Sequence, residues 1–123
     1  MTDLLIRNVT AVTVDAGRRV IEDAAIAVRG DRIVYVGSDA DLPAEYEAAR
    51  KVIDGRGMAA MPGLIDSHSH AGHGLVRSLG AGNTEVWFQA CEEIYARGST
   101  VEFWRAEAEL AQLERLMAGV TTN

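Results

Sequence analysis

His68 and His70 stand two residues apart, just after the apolar pair Leu64-Ile65. Neutral imidazole is a good ligand for divalent zinc, iron or nickel. In a β-strand successive side chains alternate faces, so residues i and i+2 project together. The turn-forming pair Pro62-Gly63 followed by Leu64-Ile65 predicts a buried strand over residues 64–70. Its C-terminal end would present both imidazoles to one cation. A bare His-x-His pair is common on protein surfaces, and the apolar run leading into it is what singles this one out. Asp66 shares the parity and would lie one layer deeper, either supporting the site or acting as a structural hydrogen-bonding group. A buried carboxylate needs such partners. His73 falls in the glycine-rich segment 71–82, where it would either contact substrate or be an exposed loop histidine.

The stretch Met61-Pro62-Gly63-Leu64-Ile65-Asp66-Ser67-His68-Ser69-His70 resembles the first barrel strand of the amidohydrolase superfamily. Its members are metal-dependent (β/α)₈-barrel hydrolases. They include cytosine, guanine and S-adenosylhomocysteine deaminases, triazine hydrolases, imidazolonepropionase and hydantoinases. Leu4-Leu5-Ile6-Arg7-Asn8 and Ile53-Asp54-Gly55-Arg56-Gly57 resemble the family's opening, and Gly119-Val120-Thr121-Thr122 its second barrel strand. The resemblance implies a β-sandwich-like N-terminal unit (residues 1–60), normally completed by strands from the far C-terminus. The first strand–helix units of a TIM barrel (residues 61–123) would follow.

The resemblance also implies one or two divalent ions, Zn²⁺ in first place and Fe²⁺ as the alternative. His68 and His70 would be ligands, with others on later strands. The implied reaction is hydrolysis of a non-peptide carbon–nitrogen bond in a small nitrogen-containing substrate. Metal-bound hydroxide would attack a nitrogen heterocycle, deaminating or dechlorinating it. Leu75-Val76-Arg77 and the order Tyr95-Ala96-Arg97, Val101-Glu102-Phe103 resemble the deaminase branch. A cyclic-amide hydrolase of hydantoinase or imidazolonepropionase type is the second reading. A non-catalytic scaffold relative is the third, and retention of both histidines weighs against it.

Length bears on all three. A (β/α)₈ barrel takes about 250 residues, and the chain has 123, stopping where a strand opens at Gly119. The expectation is therefore an N-terminal piece of a longer enzyme, with its catalytic acid/base groups beyond residue 123. Two histidines are half of the roughly four ligands of a zinc site, so residues 1–123 alone are expected to be inactive. They would need the remainder of the barrel, from the same polypeptide or a complementary chain, and the complete protein is expected to be a homo-oligomer. A net charge of −6 with no basic cluster argues against nucleic-acid or anionic-membrane partners. The lone Cys91 excludes an internal disulfide and fits a reducing cytoplasm. No secretory signal and no apolar run of about 20 residues is visible.

The elements that must position these groups follow from periodicity and punctuation. Residues 3–37 read as β, with turns at 16–19 and at Gly30-Asp31, then a short helix over 39–50 and a strand over 51–54: a small antiparallel unit without chemistry. Asn83 or Thr84 would cap a helix whose stripe Trp87, Phe88, Cys91, Ile94, Tyr95 reads as core, with stacking on a heteroaromatic substrate as the alternative. Gly98 would end that helix, and Ser99 and Glu102 would form a capping box. The next helix carries the stripe Phe103, Ala106, Leu110, Leu113, Met117, with Gly119 at its C-terminal cap. Arg105, Glu107, Glu109, Glu114 and Arg115 read as a solvated face, and Arg77 as a salt-bridge or capping residue.

Overall fold

Residues 2–12 carry Leu, Ile, Val and Thr at close intervals, side chains that suit a pleated, part-covered surface. In the computed structural model, which describes residues 1–80 and 82–123, they form β1 (Thr2–Val12). β1 is the middle of the first of two compact units, Met1–Pro62. β2 (Val20–Arg29) pairs antiparallel with β1, and β3 (Arg32–Ser38) antiparallel with β2. The hairpin turn falls on Gly30-Asp31, where Gly30 has φ +58°, the sign needed at the first position of a type II′ turn.

The unit is not purely antiparallel as expected. The 3₁₀ turn Asp39–Asp41 and α1 (Ala44–Glu47) carry the chain back, so β4 (Ala49–Asp54) runs parallel to β1, and β5 (Ala59–Ala60) does likewise. The helix expected over 39–50 shrinks because Ala49 already belongs to β4. Arg7 ties β1 to the 3₁₀ turn, its Nε and Nη2 donating to the two Asp39 carboxylate oxygens at 2.7 and 2.6 Å.

β1 changes phase midway. Leu5 is buried with Ala25, Ala27 and Leu42, whereas Val9 and Ala11 are buried with Ala24. The switch falls at the register shift between Ile6 and Val9, where Asn8 takes φ +57°. Burying a leucine contributes about 1.5–3 kcal/mol, so Leu5 anchors the face that Leu42 and Tyr46 cover.

The second unit, Gly63–Asn123, contains β6 (Leu64–Ile65), α2 (Thr84–Glu93), one π-helical turn (Ile94–Gly98), α3 (Val101–Met117) and β7 (Val120–Thr122). β6 and β7 are parallel, with Leu64 opposite Val120. Gly63 is required by their closeness, since a Cβ there would overlap the Thr121 side chain. The strand expected over 64–70 ends at Ile65. β7 offers three residues, and its last ladder bond goes from Asp66 N–H to Thr122 O at 2.8 Å. Nor is β6 buried, since Leu64 is 50% and Ile65 74% exposed.

Asn83 caps α2 as expected, its side chain accepting from Glu85 and Val86 N–H. The cap of α3 is Thr100 rather than Ser99. Ser99 Oγ is already engaged, donating to Tyr95 O and accepting from Trp104 Nε1, both at 3.1 Å. Gly119 follows α3 with φ +83°, the left-handed conformation that closes a helix C-terminus.

Candidate functional site

The histidine pair leaves the sheet on a bend rather than a strand, yet its rings remain neighbours. The His68 and His70 centroids are 5.7 Å apart, and both residues are exposed. His73 joins them, its ring 5.1 Å from that of His70. Among the described residues no set of three or more His, Cys, Asp or Glu side chains is placed to hold a metal ion. His73 is engaged elsewhere, its Nδ1 lying 2.6 Å from the Tyr95 hydroxyl. Its backbone takes φ +75°, an uncommon conformation for a residue with a Cβ. Part of the glycine-rich segment, Ala81, lies outside the described residues.

Asp66 is half-buried. Its Oδ1 accepts from His68 N–H at 3.2 Å, and its Oδ2 faces Arg115 Nε at 3.3 Å. Arg115 Nη2 also donates to the His70 carbonyl at 2.6 Å. The solvated-face reading therefore fails for Arg115, whose side chain is 16% exposed. It fails more completely for Glu107, which is 0% exposed. Glu107 Oε2 accepts from Leu75 N–H at 3.0 Å and so pins the glycine-rich segment onto α3. The sequence did hold a signal, because Glu107 lies four residues from both Phe103 and Ala111, on the apolar side of the helix. Arg77 forms a salt bridge, Nη1 to Glu114 Oε2 at 2.6 Å.

The stripe on α2 is not core either. His70, His73, Trp87, Phe88, Cys91 and Tyr95 line a hollow of about 490 Å³ beside the histidine pair. Phe88 is 67% exposed, and Trp87 lies with its ring 5.3 Å from that of His73. Burial, reinforced by neighbouring Cys91 and Glu107, pushes the Tyr95 phenol up to about 12. The phenol is therefore neutral at physiological pH and able to donate to His73 Nδ1. In a neutral ring the tautomer sets the direction: if the hydroxyl donates, the ring proton is on Nε2, and if it accepts, on Nδ1.

No family model matches the sequence. The chain is 42% identical over 121 residues to an imidazolonepropionase of Rhizobium meliloti, covering 84% of this chain and 28% of the relative. It is 35% identical over 127 residues to a 5-methylthioadenosine/S-adenosylhomocysteine deaminase of Moorella thermoacetica, covering 99% of this chain and 28% of that one. A solved adenosine deaminase from Xanthomonas campestris with bound zinc matches with TM-score 0.81 and 29% identity, over 99% of this chain and 29% of that structure. The chain thus spans under a third of the length of each of these proteins.

Proposed function

Because the chain belongs to the amidohydrolase superfamily, we propose that it forms part of a metal-dependent hydrolase of non-peptide carbon–nitrogen bonds, one that deaminates a nitrogen heterocycle. The observation that carries this reading is the pair of exposed imidazoles 5.7 Å apart, directly after the first strand of a parallel β–α–β unit. Two neutral nitrogen donors suit a divalent cation, zinc before iron. Residues 1–123 provide two ligands, and a catalytic zinc site takes three from protein. The other ligands and the acid/base group are proposed to lie outside this stretch.

When bound, the cation supplies a Lewis acid able to bring the pKa of a water towards about 7. His68 and His70 would hold it, beside the aromatic hollow that His70 lines. The Trp87 and Phe88 rings offer apolar walls to a flat heterocycle. His73, in the tautomer whose Nδ1 accepts from Tyr95, would present Nε2–H as a donor to a ring heteroatom of substrate. Asp66 supports the pair from behind by accepting from His68 N–H.

Deamination is put first because Leu75-Val76-Arg77 and the order Tyr95-Ala96-Arg97, Val101-Glu102-Phe103 resemble the deaminase branch. Cyclic-amide hydrolysis is the second reading, supported by the 42% identity to an imidazolonepropionase. No helix among the described residues is long and apolar enough to cross a membrane. A cytoplasmic homo-oligomer completes the proposal.

The test uses the protein expressed from its complete reading frame, with zinc content and ammonia release measured on aminopurine nucleosides and on imidazolones. His68→Ala and His70→Ala should each abolish both metal retention and turnover. Wild-type zinc content in either variant refutes the assignment.

A further inference from the structure

The two histidines stand where the sheet no longer holds the chain. The β6–β7 ladder makes its last bond at Asp66 N–H, so residues 67–70 run on beyond it. Two imidazoles bind one cation well only if the backbone carrying them is held still, because freezing a loose segment on binding costs conformational entropy. The structure shows what holds it. One guanidinium on the last turns of α3 reaches 45 and 49 residues back along the chain, to the His70 carbonyl at 2.6 Å and to Asp66 Oδ2 at 3.3 Å. The other oxygen of that carboxylate accepts from His68 N–H at 3.2 Å. A single Arg–Asp unit therefore grips the main chain at both metal-binding positions.

We propose that Arg115 is a positioning residue for the His68–His70 pair, clamping through Asp66 and the His70 carbonyl the bend that presents both imidazoles. This rests on the metal-site reading above. Arginine suits this role because its planar fork carries several donors at fixed angles, whereas lysine is a single point charge on a flexible stem. The guanidinium is also permanently cationic and would repel an adjacent dication, and pairing with Asp66 offsets that charge. Arg115 Nη1 is buried without a partner.

Zinc affinity by chelator competition, and the visible absorption of the cobalt(II)-substituted protein, test the clamp in the complete protein. Arg115→Lys keeps the charge but cannot span both acceptors. It should weaken zinc binding about 10- to 100-fold, as loss of groups supporting metal ligands does, and should shift the cobalt bands. Asp66→Asn should behave alike, and the double variant should be no worse than the weaker single one. Arg105→Met, which removes an exposed pair with Glu109, should bind as wild type. His68→Ala separates the two readings. If it keeps zinc, the metal assignment falls, and the clamp with it. If it loses zinc while Arg115→Lys retains wild-type affinity and spectrum, the clamp alone is overturned.

Discussion

Replacing Glu107 should loosen the glycine-rich segment beside the histidines. Glu107 is fully buried, its Oε2 accepts from Leu75 N–H at 3.0 Å, and its Oε1 is buried with no partner. The fit is close, since a Cβ on Gly74 would come within 3.2 Å of Oε2 and 3.3 Å of Leu110. Leaving a donor without its partner costs about 1–3 kcal/mol, and Glu107→Ala removes the partner of Leu75 N–H. Removing the unpartnered Oε1 works in the opposite direction, and water can reach the neighbourhood of Leu75, which is 52% exposed. The net cost should be about 1–3 kcal/mol, a rise of about 5- to 150-fold in the opening equilibrium of the segment. Glu107→Gln keeps an acceptor oxygen for Leu75 and should stay within about 1 kcal/mol of wild type. Hydrogen exchange at the Leu75 amide reads the local opening, and urea unfolding reads the global cost. Unchanged Leu75 protection in Glu107→Ala, or a Gln variant worse than Ala, would refute the anchor.

Tyr95→Phe deletes the hydroxyl 2.6 Å from His73 Nδ1. It should cost about 0.5–1.5 kcal/mol and change the His73 tautomer, read from imidazole nitrogen shifts. An unaltered tautomer would count against the pairing. The Tyr95 phenol is raised from 10.0 to about 12, so its contribution to stability is complete below pH 10.0 and lost as pH rises through about 12. Ultraviolet titration of wild type against Tyr95→Phe should show one tyrosine ionising late. Asp39 is shifted the other way, because hydrogen bonds from Arg7 hold its carboxyl below 3.8. Its contribution is present above pH 3.8 and fades as pH falls through the lower folded value. With the Arg7 side chain 38% exposed, solvent screening keeps the effect small. Thermal melts should show Asp39→Asn closing on wild type between about pH 7 and about pH 3, and an unchanged gap would contradict this.

Local chemistry was legible without coordinates. Asn83 caps α2 because its side chain reaches the N–H groups two and three residues on, and Gly30 turns the hairpin because it adopts a positive φ freely. Spacing predicted both long helices, α2 and α3, and it predicted His68 and His70 as neighbours on a strand, whereas they are neighbours on a bend. Those are interactions between near neighbours, and their rules are written in the order of residues. What each element meets is not. A strand lasts only as far as its partner, so residues 64–70 became a two-residue strand once β7 supplied the ladder. β4 lies parallel to β1 because of where α1 returns the chain, which no alternation of side chains encodes. Glu107, Arg115 and Tyr95 looked like a surface charge, another surface charge and a core aromatic. Tertiary packing made them the anchor of Leu75, the clamp on Asp66 and His70, and the partner of His73, across 32, 45 to 49, and 22 residues. Helical periodicity fixes which side of a helix a residue occupies, and only the folded chain decides what lies against that side.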